Sequence, residues 1–197
     1  MCIRDRLTAI APVLAFPEPI MEAARWRDQL REAATVLERP QPAEAFISAY
    51  DERAASLRER VQARWGGATI AYVGPLDPGV FYIAQKNMQT NYTLNDDLGM
   101  PHAAVVPASV AERRTDISYE EMGLLADVDV ILLRINPREG STEPNQEQTA
   151  QITGAPLWST LPAVRAGAAF PIDGDLFYAS PLTAEANLDW AERTLLR

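Results

Sequence analysis

The chain has 197 residues, 47% of them hydrophobic, which is enough to bury one sizeable core. Its formal net charge of −9 argues against nucleic acid or an anionic membrane as the main partner. A single histidine, His102, and a single cysteine, Cys2, exclude a zinc site built from these residue types and an intramolecular disulfide. No secretory signal pattern and no apolar run near the ~20 residues of a membrane span are visible.

The first part of the chain predicts a strand over residues 7–15 and a helix over residues 21–37. The preceding MCIRDR has no amphipathic pattern, so we expect that the protein extends upstream and that this chain is a fragment. One strand and one helix do not bury a core by themselves. We therefore expect exposed apolar surface in this part, around Ile10, Val13, Trp26 and Leu30.

One long helix is predicted over residues 42–65. Its apolar residues recur at three- and four-residue steps, at Phe46, Ile47, Tyr50, Ala54, Leu57 and Val61. Pro42 suits the first helical turn, and Gly66 and Gly67 end the helix. At ~1.5 Å per residue the helix is roughly 33 Å long, so it either belongs to one lobe or bridges two.

From residue 68 onward strands and helices alternate, which predicts an α/β protein with a parallel or mixed sheet covered by helices. The predicted strands are residues 69–73, 80–84, 102–106, 128–133 and 168–172. The predicted helices are residues 89–98, 118–125, 156–166 and 181–196. Gly99 suits the end of a helix, Ser180 with Pro181 suits the start of one, and residues 136–145 suit a surface loop.

Enzyme motifs are absent from the sequence. It contains no phosphate-binding G-x-x-x-x-G-K-[ST], no dinucleotide-binding G-x-G-x-x-G, no G-x-S-x-G and no H-E-x-x-H. One histidine outside such a context argues against a Ser–His or Cys–His relay. Paired acids such as Asp96 and Asp97 are better explained as solvated faces, because adjacent carboxylates on a helix do not face one another.

Three motifs together carry a resemblance to a known family. They are I-S-Y-E (117–120) followed by the strand D-V-I-L-L (129–133), then W-x-x-L-P-A-V (158–164), then S-P-L-T-x-E (180–185). In this order and spacing they resemble the C-terminal lobe of class III periplasmic binding proteins, the substrate-binding components of iron–siderophore and cobalamin ABC importers. In that family a rigid helix joins two Rossmann-like lobes, and the ligand lies between them.

The resemblance implies an α/β fold with three parts. Residues 1–41 would be the remnant of an N-terminal lobe, residues 42–65 the inter-lobe connecting helix, and residues 66–197 a Rossmann-like C-terminal lobe with a central, mostly parallel sheet. It also implies which residues bind the ligand, namely Tyr82, Lys86, Arg134, Asn136, Phe177 and Tyr178. Lys86, Arg134 and Phe177 are expected to face one cleft.

Each of these assignments has a plainer alternative. Phe177 stands where many siderophore binders have Trp, and it equally suits core packing; Trp158 is predicted to be core. Arg134 also suits an ordinary surface ion pair. Glu120 occupies the position that presents a carboxylate to permease arginines in this family, but an acid in the first turn of a helix is also favoured by the helix dipole.

The implied function is a substrate-binding protein of an ABC importer that captures a ferric siderophore or related metal chelate. No catalysis and no cofactor are implied, because the chelator already coordinates the metal. The implied partners are the chelate and an ABC permease dimer, with no nucleic acid, and the protein is expected to be monomeric when complete. It is expected outside the cytoplasm, in the periplasm or as a lipoprotein, reaching the membrane through the permease or a lipid anchor missing from this chain. Two alternatives remain open: a Rossmann-like enzyme domain and a stand-alone protein-interaction domain.

Overall fold

The computed structural model describes residues 3–13, 23–86, 88–106, 114–136 and 146–197. The strands are β1 (Ile70–Asp77), β2 (Val80–Ala84), β3 (Arg114–Ser118), β4 (Val130–Ile135) and β5 (Ala169–Asp173). The helices are α1 (Ile3–Thr8), α2 (Trp26–Val36), α3 (Pro40–Trp65), α4 (Gln89–Tyr92), α5 (Gln146–Gly154), α6 (Pro162–Arg165) and α7 (Pro181–Leu195). A π-helical turn at Thr93–Asp97 continues α4, and 3₁₀ turns lie at Ala23–Arg25, Tyr119–Leu125, Trp158–Thr160 and Gly174–Phe177.

The strands form one five-stranded sheet in the order β3-β2-β1-β4-β5. β1 pairs in parallel with β4, and β4 with β5, whereas β2 runs antiparallel to both β1 and β3. Among the described strands, β2 alone therefore runs against the other four. β1 and β4 are apolar without alternation and buried on both faces, as central parallel strands require. The predicted α/β class with a mostly parallel sheet is confirmed.

The long helix α3 is confirmed, two residues longer than predicted at its start. It begins with Pro40 and ends at Trp65, where Gly67 takes a positive φ of 81°. α3 lies alongside α7. The Arg53 guanidinium of α3 donates to three acids of α7: Glu185 at 2.8 Å, Asp189 at 2.6 Å and Glu192 at 3.2 Å. α7 begins as predicted, with the Ser180 hydroxyl accepting from the Thr183 amide at 3.0 Å.

The first predicted element is wrong. Residues 7 and 8 belong to helix α1, residues 9–13 form no strand, and residues 14 and 15 lie outside the described part, as does Cys2. A strand depends on a neighbouring strand for its hydrogen bonds, whereas a helix makes them internally.

The predicted exposure of apolar residues is confirmed for Ile10 and Val13 and wrong for Trp26. Ile10 is 82% exposed and Val13 is also exposed. Trp26 is buried. Its ring lies edge-on to the rings of Tyr50 and Phe46, with ring centroids 4.9 Å and 6.2 Å away. Leu30 is half-buried. The predicted helix over residues 21–37, of which α2 is the described helical part, thus has a partner in α3.

Beyond residue 66, the structure also differs from the prediction at β3, at α5 and at residues 102–106. Residues 102–106, predicted as a strand, form only an isolated bridge from His102 to Ile70. β3, which was not predicted, is the edge strand beside β2, and only Ile117 of its residues is buried. Helix α5 follows the predicted loop of residues 136–145, most of which lies outside the described residues.

Three predicted helices are present in altered form. Pro162 forces Leu161 into an extended conformation (φ −62°, ψ 133°), so residues 156–166 contain a 3₁₀ turn and the short α6 instead of one helix. The helix predicted at residues 118–125 is 3₁₀. The one predicted at residues 89–98 changes to π-helical at Thr93, and Gly99 follows it with a φ of 75°, as predicted.

The π turn places Asp97 under helices α2 and α3. Arg27 donates to Asp97 at 3.1 Å and to Asp51 at 2.6 Å, and its guanidinium lies 4.5 Å from the Trp26 ring centroid and 5.0 Å from that of Tyr50. The Tyr50 hydroxyl donates to Asp97 at 2.6 Å. Burial raises the pKa of Asp97, although the Tyr50 hydrogen bond and the Arg27 charge oppose this.

Candidate functional site

Arg134 and Tyr82 meet at the edge of the sheet where the parallel strands end. Arg134 is the second-last residue of β4, and Tyr82 of β2 lies opposite Gly74 of β1. The Nη1 atom of Arg134 donates to the Tyr82 hydroxyl at 3.1 Å. A Cβ atom on Gly74 would lie 2.5 Å from the Tyr82 hydroxyl oxygen, so only glycine lets this ring lie across β1. Ligands of open α/β sheets bind at this edge.

Phe177 supports the other side of the same guanidinium. The central guanidinium carbon of Arg134 lies 5.6 Å from the Phe177 ring centroid, within the range of a cation–π contact. Gly174 makes this approach possible, because a Cβ there would lie 2.5 Å from Nε of Arg134. The ring is buried, which fits the core-packing interpretation of Phe177, and it also contacts the Arg134 cation; its role in ligand binding stays a prediction.

Tyr72 completes an arginine–aromatic cluster, which we define as Tyr72, Tyr82, Arg134 and Phe177. Its ring centroid lies 4.8 Å from that of Phe177. Its buried hydroxyl has no hydrogen-bond partner among the described residues. Burial is the main cause that raises the pKa of Tyr72, and the nearby Tyr82 raises it further. The positive charge of Arg134 opposes this rise.

Sequence reasoning missed Tyr72 and Arg114. The guanidinium of Arg114, on β3, lies 5.8 Å from the Tyr82 ring centroid and bonds Asp116 at 2.7 Å. The sequence held one usable signal, because Tyr72 is the only aromatic residue in β1 and shares a face with Gly74. Nothing local points to Arg114, whose place follows from the pairing of β3 with β2.

Of the other predicted ligand-binding residues, two directly follow elements of the cluster. Asn136, directly after β4, is half-buried, and Tyr178, directly after Phe177, is 49% exposed. Lys86 is exposed and lies two residues after the end of β2. Its charge adds to burial in lowering the pKa of His102, which pairs with the first residue of β1. The expectation that Lys86 and Arg134 face one cleft stays a prediction.

Glu120 and Glu121 have separate roles at the start of the 3₁₀ turn Tyr119–Leu125. Glu121 completes a capping box with Ser118, with 2.9 Å between the Ser118 hydroxyl and the carboxylate. Glu120 is exposed. Helix capping is thus supplied by the neighbouring acid. Trp158, predicted to be core, is buried.

The cluster has the chemistry of a recognition site. A guanidinium between a phenol and aromatic faces can bind an anionic or polar oxygen of a bulky ligand. Within the described ranges, no group of three or more His, Cys, Asp or Glu side chains could hold a metal ion. None of the helices described is both long and apolar enough to cross a membrane.

A family model described as "Periplasmic binding protein" matches residues 3–176. The chain belongs to the periplasmic binding protein family. This confirms the resemblance predicted from sequence and makes the chain a binding protein, not an enzyme. The family name implies a location outside the cytoplasm. A comparison with curated protein sequences gives no match.

Solved structures of binding proteins share the fold. A siderophore periplasmic binding protein from the fuscachelin gene cluster of Thermobifida fusca is 26% identical with a TM-score of 0.76, over 98% of this chain and 67% of that one. A FhuD-fold periplasmic binding protein component of a Fep/Fec-like ferrichrome ABC transporter from Bacillus subtilis is 20% identical with a TM-score of 0.75, over 98% and 71%. Staphylococcus aureus SirA is 16% identical with a TM-score of 0.75, over 98% and 71%. This chain thus spans about two thirds of the length of each.

Proposed function

We propose that this periplasmic binding protein captures an iron(III)–siderophore, or a related metal chelate, and delivers it to an ABC permease. The observation that carries the proposal is the position of Arg134, held between the Tyr82 hydroxyl and the Phe177 ring at the ligand-binding edge of the sheet. The names of two similar structures support the choice of ligand, since one is a siderophore-binding protein and the other belongs to a ferrichrome transporter.

The chemistry of the cluster fits such a ligand. Ferric siderophores are bulky and mostly anionic or polar, so a binding surface needs aromatic faces and a few cations. Each charge-assisted hydrogen bond to the chelate contributes ~1.5–3 kcal/mol, partly offset by desolvation of the guanidinium. A net ~1.4 kcal/mol already changes the affinity tenfold. The chelator holds the metal, so no protein ligand to iron is needed.

The organisation expected from the resemblance belongs to the same proposal. Residues 1–41 would be the remnant of an N-terminal lobe, residues 42–65 the connecting helix and residues 66–197 the C-terminal lobe of a receptor that is monomeric when complete. The receptor would reside in the periplasm or be lipid-anchored. Glu120, exposed beside the capping acid Glu121, would meet the permease. Such a rim charge acts through steering and orientation.

Binding to the 197-residue chain tests the proposal directly. Tryptophan fluorescence is titrated with ferrichrome, ferric enterobactin and ferric citrate, which represent hydroxamate, catecholate and carboxylate chelates. We expect Arg134→Ala to weaken binding of the chelate that the parent prefers by about tenfold or more. The matched control is Arg31→Ala, which removes an exposed cation on α2 that bonds Glu44 and should leave the affinity unchanged.

Two results would contradict the proposal. One is an Arg134→Ala variant that binds the preferred chelate as tightly as the parent. The other is a loss of equal size caused by Arg31→Ala, which would show that the effect of Arg134→Ala is not specific to the cluster.

A further inference from the structure

Two buried side chains from different helices bond the same main-chain carbonyl. The Leu176 oxygen accepts from the hydroxyl of Thr90, on α4, at 2.9 Å and from the amide nitrogen of Asn187, on α7, also at 2.9 Å. Asn187 additionally donates to the Thr183 carbonyl at 2.9 Å, which fixes its amide within α7. Thr90 is 1% exposed and Asn187 is fully buried.

Such an arrangement has a specific physical effect. A buried hydroxyl or amide costs free energy unless it is hydrogen-bonded, and carbonyls near the end of a short helix lack partners within that helix. The Leu176 carbonyl lies in the last turn of Gly174–Phe177 and receives both donors. This turn is therefore held against α4 and α7 at one defined point.

The residue after that carbonyl is Phe177. The centroid of its ring lies 4.8 Å from the Tyr72 ring centroid and 5.6 Å from the central guanidinium carbon of Arg134. A shift of the Leu176 peptide moves this ring and with it the surface on which the guanidinium rests. Thr90 and Asn187 themselves hydrogen-bond none of the four residues of the arginine–aromatic cluster in the contacts described.

We propose that Thr90 and Asn187 are positioning residues for chelate binding: they hold the Leu176 carbonyl, which orients Phe177 and thereby Arg134. This inference rests on the proposed function, because it assigns the cluster to the chelate. It adds two residues that the sequence did not indicate for ligand binding.

The first experiment removes one donor without changing its shape. Thr90→Val replaces the hydroxyl by a methyl group, and Thr90→Ser restores it; Thr90→Ala serves if the valine variant does not fold. Binding is measured with whichever of ferrichrome, ferric enterobactin and ferric citrate the parent binds most tightly. We expect Thr90→Val to weaken binding about three- to tenfold and Thr90→Ser to stay within about twofold of the parent.

The matched control is Thr93→Val. Thr93 is fully buried on the adjoining π turn, and its hydroxyl accepts from Gln89 at 3.1 Å instead of bonding Leu176. If loss of any buried hydroxyl in this region weakens binding equally, the two valine variants will agree, and the positioning role is overturned.

A double-mutant cycle with Phe177→Leu separates positioning from general destabilisation. If Thr90 acts through Phe177, Thr90→Val adds less than about a twofold loss in the Phe177→Leu background, whereas independent effects multiply. Independent effects overturn the inference while leaving the proposed function intact. If Arg134→Ala and Phe177→Leu both bind as the parent does, it is the proposed function that fails.

Discussion

The Arg27→Ala variant should unfold much more easily than the parent. Arg27 is a partly buried cation with an 18% exposed side chain, and its partner Asp97 is only 10% exposed. Losing a charge-assisted hydrogen bond to a buried acid costs ~1.5–3 kcal/mol. The two ring contacts add ~0.5–1 kcal/mol each, and the bond to the half-exposed Asp51 adds less than ~1 kcal/mol. Allowing for non-additivity, we expect a loss of about 2–4 kcal/mol in the free energy of unfolding.

Urea denaturation followed by tryptophan fluorescence measures this loss. With an m-value of ~2 kcal/mol/M, a change of about 3 kcal/mol lowers the midpoint by ~1.5 M. The control is Arg31→Ala on the same helix. Arg31 is 44% exposed and bonds Glu44, 55% exposed, at 2.8 Å, so solvent screens this ion pair and its removal should lower the midpoint much less than removal of Arg27. Equal midpoints for the two variants would refute the reasoning that burial decides the worth of these ion pairs.

Two further predictions concern single groups. Burial and the Lys86 charge lower the pKa of His102 from 6.5 to about 4. Between pH 6.5 and pH 4 the unfolded chain therefore binds a proton at His102 that the folded chain does not. The stability present above pH 6.5 is lost as the pH falls through this range. As the only histidine of the chain, His102 gives one NMR titration curve, and a midpoint near 6.5 would disprove this. Glu120→Ala should impair chelate uptake in cells that depend on this protein while leaving binding and stability unchanged, whereas Glu121→Ala should cost ~1 kcal/mol of stability through the lost cap. Normal uptake with the Glu120 variant would end the docking proposal.

Local signals predicted the elements whose residues decide their own structure. α3, β1, β2, β4, β5 and α7 all follow from apolar periodicity and from end signals such as Ser180 before Pro181. β3 escaped prediction because its sequence, R-T-D-I-S, buries only Ile117, and it is a strand because β2 supplies its hydrogen bonds. The 102–106 segment has strand-like composition but makes only one bridge.

The site was predictable only in part for a related reason. The motifs indicated Arg134, Tyr82 and Phe177, and the structure brings these three together. The place of Lys86 at the ligand edge stays a prediction, because Lys86 lies two residues beyond the end of β2 and no strand pairing fixes its position. The role of Thr90 depends on a carbonyl 86 positions further along the chain, which no local pattern records.

The contacts of α2 have a mechanical consequence. A hinge needs a short stretch of chain whose backbone angles can change without breaking packed contacts. The turn between α2 and α3 is such a short stretch, and it contains Glu38 with a φ of 55°. Bending there would pull Trp26 off Tyr50 and Arg27 off Asp97. These contacts therefore oppose bending between α2 and α3, and we expect the two helices to move together.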